Sequence, residues 1–145
     1  MQFYVYVEDA VTLGAPHQGA WSAEFCGIAD NTQQCKDMAA TSDFTAWLRK
    51  TGAAQAEGGI DWTAIGSEAD IAVLPGSSTP PGVGIQHLVL YREEAGIDHS
   101  ELRVLTRGRH PMTYSNDAGS TWTKTGRGAA PLRAAFHALY FHSRW

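Results

Sequence analysis

The apolar positions of this chain fall into short runs bounded by glycine and proline, interleaved with stretches whose apolar residues recur at helical spacing. Residues 1–7 read as a strand, and residues 7–14 form a second β-rich run that stops at Gly14 before the turn formers Ala15, Pro16, His17, Gln18 and Gly19. Ser42 is a capping candidate, Phe44, Trp47 and Leu48 share one face, and Arg49 and Lys50 precede Gly52. That pattern predicts an amphipathic helix over residues 42–50. Small residues over 53–59 lead to a strand over 60–66. Proline and glycine over 75–84 exclude a helix or a central strand and predict a loop. A strand over 85–91 follows, then a turn, then a helix over 99–105 packed by Leu102 and Leu105. Residues 115–123 are polar and turn-forming, as in a surface hairpin or a tail. A last helix from Pro131 to Phe141 has Pro131 in its first turn and Leu132, Phe136, Leu139 and Tyr140 in one stripe. Strands alternating with helices, without internal repeats, predict a single α/β domain: a mainly parallel sheet flanked by helices.

Composition narrows the partners. With 145 residues, 43% hydrophobic and 18% charged, the chain has enough apolar material for one core. A net charge of -4, with eleven basic residues scattered along the chain, leaves no electrostatic footprint for nucleic acid. No apolar run approaches the roughly 20 residues that span a bilayer, so no transmembrane segment is expected. Residues 1–7 lack the basic start, long apolar centre and cleavage site of a signal peptide, so none is expected. Cys26 and Cys35 are close enough in sequence to form a bridge, and equally consistent with two free thiols. No second cysteine pair or histidine pair stands at zinc-like spacing, so neither a metal nor another cofactor is expected.

Candidate chemistry lies just beyond two of the strands. Asp70 follows the strand at 60–66 and His99 follows the strand at 85–91, so both side chains belong at strand carboxyl ends, where open α/β sheets carry their sites. A carboxylate that orients a histidine and stabilises its charged form makes that histidine an effective general base. Glu68 and Asp98 are rivals for the acid, and Asp98 is also placed to cap a helix. Among the other histidines, His17 sits in the first loop, His87 lies within a strand, and His110, His137 and His142 are towards the end of the chain.

Residues 11–19 (Val-Thr-Leu-Gly-Ala-Pro-His-Gln-Gly) resemble the T-L-G-x-P-H-x-G strand and loop of secreted bacterial lipases and esterases of the α/β-hydrolase superfamily, a type best represented in actinobacteria. The resemblance continues through Cys26, residues 32–38 and residues 42–44, and ends at Asp70 and residues 96–100. It implies hydrolysis of an ester or lipid substrate through an acyl-enzyme, with Asp70 as the orienting acid and His99 as the general base. It also implies a Cys26–Cys35 disulfide, an extracellular setting, and a site-shaping role for Pro16 and His17. The family-like part is residues 1–107, with 108–145 as a C-terminal extension. One departure is large. The nucleophile of the family stands in a G-x-S-x-G turn ahead of the T-L-G segment, and no serine here has both flanking glycines. The oxyanion loop is missing as well. The expected fold is therefore a truncated α/β-hydrolase lacking its N-terminal strands and nucleophile elbow: the C-terminal part of a lipase or esterase, inactive alone. The alternative is a non-catalytic remnant acting as a binding or structural module. In either case an exposed sheet edge favours self-association.

Overall fold

The β-rich runs become neighbouring strands in the order in which the chain makes them. The computed structural model describes residues 6–29, 32–50, 59–142 and 145. Its strands are β1 (Asp9–Leu13), β2 (Asp61–Ser67), β3 (His87–Tyr91), β4 (Arg109–Ser115) and β5 (Thr123–Ala129), forming one sheet in the order β1-β2-β3-β4-β5. The helices are α1 (Trp21–Ala29), α2 (Gln33–Met38), α3 (Asp43–Lys50), the single turn α4 (Pro75–Ser78) and α5 (Pro131–Phe141).

β1 pairs with β2, and β2 with β3, in parallel, whereas β4 joins β3 and β5 joins β4 antiparallel. The sheet is therefore mixed, not mainly parallel. The difference comes from residues beyond 108, which lie inside the sheet: β4 and β5 are a hairpin whose connection is the polar stretch after Ser115. A short connection suffices for an antiparallel pair, while a parallel one needs a crossover of a dozen residues or more.

The central strands are buried on both faces. Ile65, Val89 and Tyr91 pack with Ile97, Leu102, Met112, Ala134 and Ala135 on one side, and Ala64 and Leu88 pack with Ile85 on the other. The Tyr91 hydroxyl donates to the Ala129 carbonyl, which ties β3 to the end of β5.

Four local expectations give way. The helix over 99–105 is only a 3-10 turn, Glu101–Arg103, and a 3-10 turn at Glu93–Ala95 precedes it. Pro75 starts one helical turn inside the supposed loop, because proline at a first helical position leaves no hydrogen bond unmade. In α5 the buried face is Pro131, Ala134, Ala135 and Ala138, and Phe136, Leu139, Tyr140 and Phe141 are exposed. Small side chains let the helix approach the sheet closely, and the aromatic stripe is turned outwards. On α3 likewise, Phe44 and Trp47 are exposed while Thr45 is buried. Residues 1–5, 51–58 and 143–144 lie outside the described residues, as do Asp30 and Asn31, so most of the strand expected over 1–7 and of the connection over 53–59 falls there, while Tyr6 and Val7 are not in a strand. No described helix is long and apolar enough to cross a membrane.

Candidate active site

The carboxyl ends of the parallel strands converge on one carboxylate–imidazole pair. After β2 the chain turns at Ser67, whose hydroxyl accepts from the Ala69 N–H (3.2 Å) and whose carbonyl accepts from the Asp70 N–H (3.3 Å). This turn sends Asp70 inward, leaving it 1% exposed. Its Oδ1 accepts the backbone N–H groups of Ala72 (2.8 Å) and Val73 (2.9 Å), and its Oδ2 lies 2.7 Å from Nδ1 of His99. Two backbone N–H groups and an imidazole nitrogen thus meet a carboxyl group removed from water, so both of its oxygens have polar partners.

His99 reaches this position through a longer path. After β3 and the turn at 93–95, Gly96 takes a left-handed conformation (φ 62°) and Ile97 anchors the chain in the core. Asp98 Oδ1 then accepts from the N–H (2.8 Å) and hydroxyl (2.7 Å) of Ser100 and from the Glu101 N–H (2.9 Å), while Glu101 Oε2 accepts from the Asp98 N–H (3.1 Å). The reciprocal pattern is a capping box on the turn after His99. The Ser100 hydroxyl, followed by the Glu101 N–H, holds the Asp98 carboxyl below its ordinary pKa. The other rival acid is also engaged elsewhere, since Glu68 Oε2 accepts from the Glu93 N–H (2.9 Å). Both rivals order the loops around the pair, and Asp70 alone meets the imidazole.

The imidazole rests on the end of β1. Gly14 has φ +59°, and a Cβ built on it would lie 3.1 Å from Cε1 and Nδ1 of His99 and from Cδ1 of Leu102. Only glycine combines that backbone conformation with such a close approach. With Nδ1 facing Asp70 and 44% of the side chain exposed, the ring presents its other nitrogen away from the buried acid. Among the described residues no hydroxyl is hydrogen-bonded to His99 Nε2, and serines along the same end have other partners or none. Ser77 Oγ donates to Gly19 O (2.6 Å) and accepts from Gln18 N–H (2.9 Å), and Ser78 Oγ is buried against Gly66 without a partner.

No protein-family model, curated protein or solved structure matches this chain. The likeness to bacterial lipases and esterases therefore rests on its motif residues alone.

The remaining sequence candidates find definite places. Pro16 and His17 follow β1 at the same end of the sheet as the pair. His17 Nε2 lies 2.9 Å from Thr12 Oγ1, and the Ser77 contacts pin the residues after it to α4. Burial lowers the His17 pKa from its ordinary 6.5. A histidine with a lowered folded-state pKa binds its proton more readily in the unfolded chain, so its effect on stability has a definite sign. Stability should fall as pH drops below 6.5 and the loss should be complete below the folded-state pKa. The His17→Gln variant should show a shallower decline in urea midpoint between pH 6.5 and 5 if this residue is the source. Cys26 and Cys35 are bonded, with Cα atoms 5.7 Å apart, and link α1 to α2. Neither helix was foreseen from the sequence.

Gly14 is the site residue that hydrophobic patterning misses. Its sequence signals are its place at the end of a β-rich run, where glycine reads simply as a strand stop, and its position in the T-L-G-x-P-H segment. An open groove of about 470 Å³ along α5, lined by Leu132, Arg133, Phe136, His137, Phe141 and Thr106, does not include Asp70 or His99 in its walls.

Proposed function

We propose that this chain is the C-terminal part of a serine carboxylic-ester hydrolase of the lipase/esterase type, supplying the acid and base of a Ser-Asp-His triad. The observation that carries the reading is the 2.7 Å contact between buried Asp70 and half-exposed His99, set beyond the carboxyl ends of adjacent parallel strands. In that arrangement Asp70 keeps the proton of His99 on Nδ1, so Nε2 is free to take a proton from a nucleophile and return it to the leaving alkoxide. The chemistry needs an attacking hydroxyl and oxyanion donors, which a polypeptide bearing the G-x-S-x-G turn would contribute. Alone, the chain should not turn over short-chain p-nitrophenyl esters.

The test is to read the genomic DNA upstream for a G-x-S-x-G segment, express it joined in frame to this chain, and assay ester hydrolysis. Activity that is lost in His99→Ala supports the reading. A segment that is missing, or turnover indifferent to His99→Ala, overturns it.

A second reading is favoured by a different observation. Among the described residues β1 has a strand neighbour only on its β2 side, and exposed aromatics stand on α1 (Trp21, Phe25), α3 (Phe44, Trp47) and α5 (Phe136, Tyr140, Phe141). An open strand edge flanked by apolar side chains suits a structural or binding module that pairs with another chain or with itself. Sedimentation velocity should then show concentration-dependent association, and a strictly monomeric protein over a hundredfold dilution would remove this reading.

A further inference from the structure

The opposite end of the sheet carries a second cluster of titratable groups that plays no part in the ester chemistry. Asp9 and Asp61 are the first residues of β1 and β2 and stand directly opposite each other in the parallel register. Paired residues point to the same side of a sheet, so two carboxylates lie side by side, an arrangement that is destabilising without a counter-charge. His142, immediately after α5, turns back over them with a left-handed backbone (φ 45°, ψ 78°). Its Nδ1 lies 3.4 Å from Asp9 Oδ1 and 3.4 Å from Asp61 Oδ2.

We propose that Asp9, Asp61 and His142 form a binding site for one divalent transition-metal ion of the zinc class. The three ligand atoms all lie within 4.8 Å of one another. Zinc–ligand bonds of about 2.0–2.1 Å place tetrahedral ligands about 3.3 Å apart, which matches the two His142 separations. Those separations are longer than the roughly 2.8 Å of a charge-assisted N–H···O bond. Among the described residues Asp9 Oδ1 is shielded from solvent and has no hydrogen-bond partner, only the His142 contact at 3.4 Å, so an acceptor that should be satisfied is left on the His142 side. Asp61 is held from behind: its Oδ1 lies 3.0 Å from His87 Nε2, leaving Oδ2 directed at His142. His87 is itself fixed by Asn116 Oδ1, 2.9 Å from its Nδ1, and that oxygen also accepts from Trp145 Nε1 at 3.2 Å. An outer layer that orients a ligating carboxylate is characteristic of metal centres. One imidazole nitrogen with two carboxylate oxygens suits zinc, cobalt or manganese better than the all-oxygen sets of calcium and magnesium. The fourth position is left to water. Bound there, the ion would join the starts of β1 and β2 to the end of α5.

The site is independent of the ester-hydrolase reading, because its readout is metal stoichiometry. Chelator-treated full-length protein titrated with zinc sulfate at pH 7.5 should bind one equivalent by calorimetry and show a raised Tm. His142→Ala and Asp9→Asn should each weaken binding at least tenfold, while His99→Ala, which alters the other Asp–His pair, should bind as the parent does. Should the cluster variants fail to fold, cobalt(II) on the parent protein decides. Intense d–d absorption of a four-coordinate ion, displaced by one equivalent of zinc, supports the site, and only the weak bands of hexa-aquo cobalt defeat it. Failure of the parent to take up a saturable equivalent of zinc, or full affinity retained in folded His142→Ala, overturns the proposal.

Discussion

Replacing Asp70 with alanine should destabilise the folded chain by about 3 kcal/mol, since breaking a buried, fully hydrogen-bonded acidic group leaves its donors unsatisfied. Asp70 is 1% exposed and receives the N–H groups of Ala72 and Val73 as well as His99. Two of those three donors belong to the backbone and cannot move away without unwinding the turn after β2. Asp70→Asn keeps an oxygen for the two N–H groups and should cost much less. His99→Ala removes a side chain that is 44% exposed and should cost less than either. Urea denaturation of the three variants gives the ordering. A midpoint for Asp70→Ala no lower than that of His99→Ala would mean that Asp70 does not organise the turn, and that its position is only that of a catalytic acid.

The largest effect expected on activity comes from Asp70→Asn in the enzyme joined to its nucleophile segment, where kcat should fall roughly 10⁴-fold with little change in KM. The reason is the tautomer. A carboxylate at Oδ2 requires the proton on Nδ1 of His99 and leaves Nε2 as the base, whereas an amide can offer its own N–H to Nδ1 and move the ring proton to Nε2. The substituted side chain is nearly the same size, so substrate binding is undisturbed. His99→Ala removes the base altogether and should approach the roughly 10⁶-fold loss seen when a triad member that acts with the others is deleted. Equal, small losses for both variants would show that the pair orients loops and takes no part in proton transfer.

These two predictions rest on residues whose places were readable from local pattern. The strand runs, with the turn formers after them, put Asp70 and His99 beyond β2 and β3, because a strand's direction and length are written in its own few residues. The choice of Asp70 over Glu68 and Asp98 was not readable with the same security. All three are acids near strand ends, and only the packed structure shows Glu68 capping the turn at 93–95 and Asp98 capping the turn after His99. Gly14 was visible as a strand stop, but its approach to the imidazole involves a residue 85 positions away.

The same limit governs the fold. α5 was expected to bury its large side chains, and it buries alanines, because the closest approach of helix to sheet is decided by what lies on the sheet beneath it. The antiparallel turn to β4 and β5 follows from strand pairing, which carries no signature within either strand. The sequence by itself determined the positions of β1, β2 and β3, the acid and base candidates beyond them, and the lack of a G-x-S-x-G serine, all of which depend on neighbouring residues. Only the tertiary structure decided the mixed sheet, the outward aromatic faces, the partner of His99 and the meeting of Asp9, Asp61 and His142. Those depend on contacts between distant segments, where register and burial select among alternatives that local propensity leaves equal.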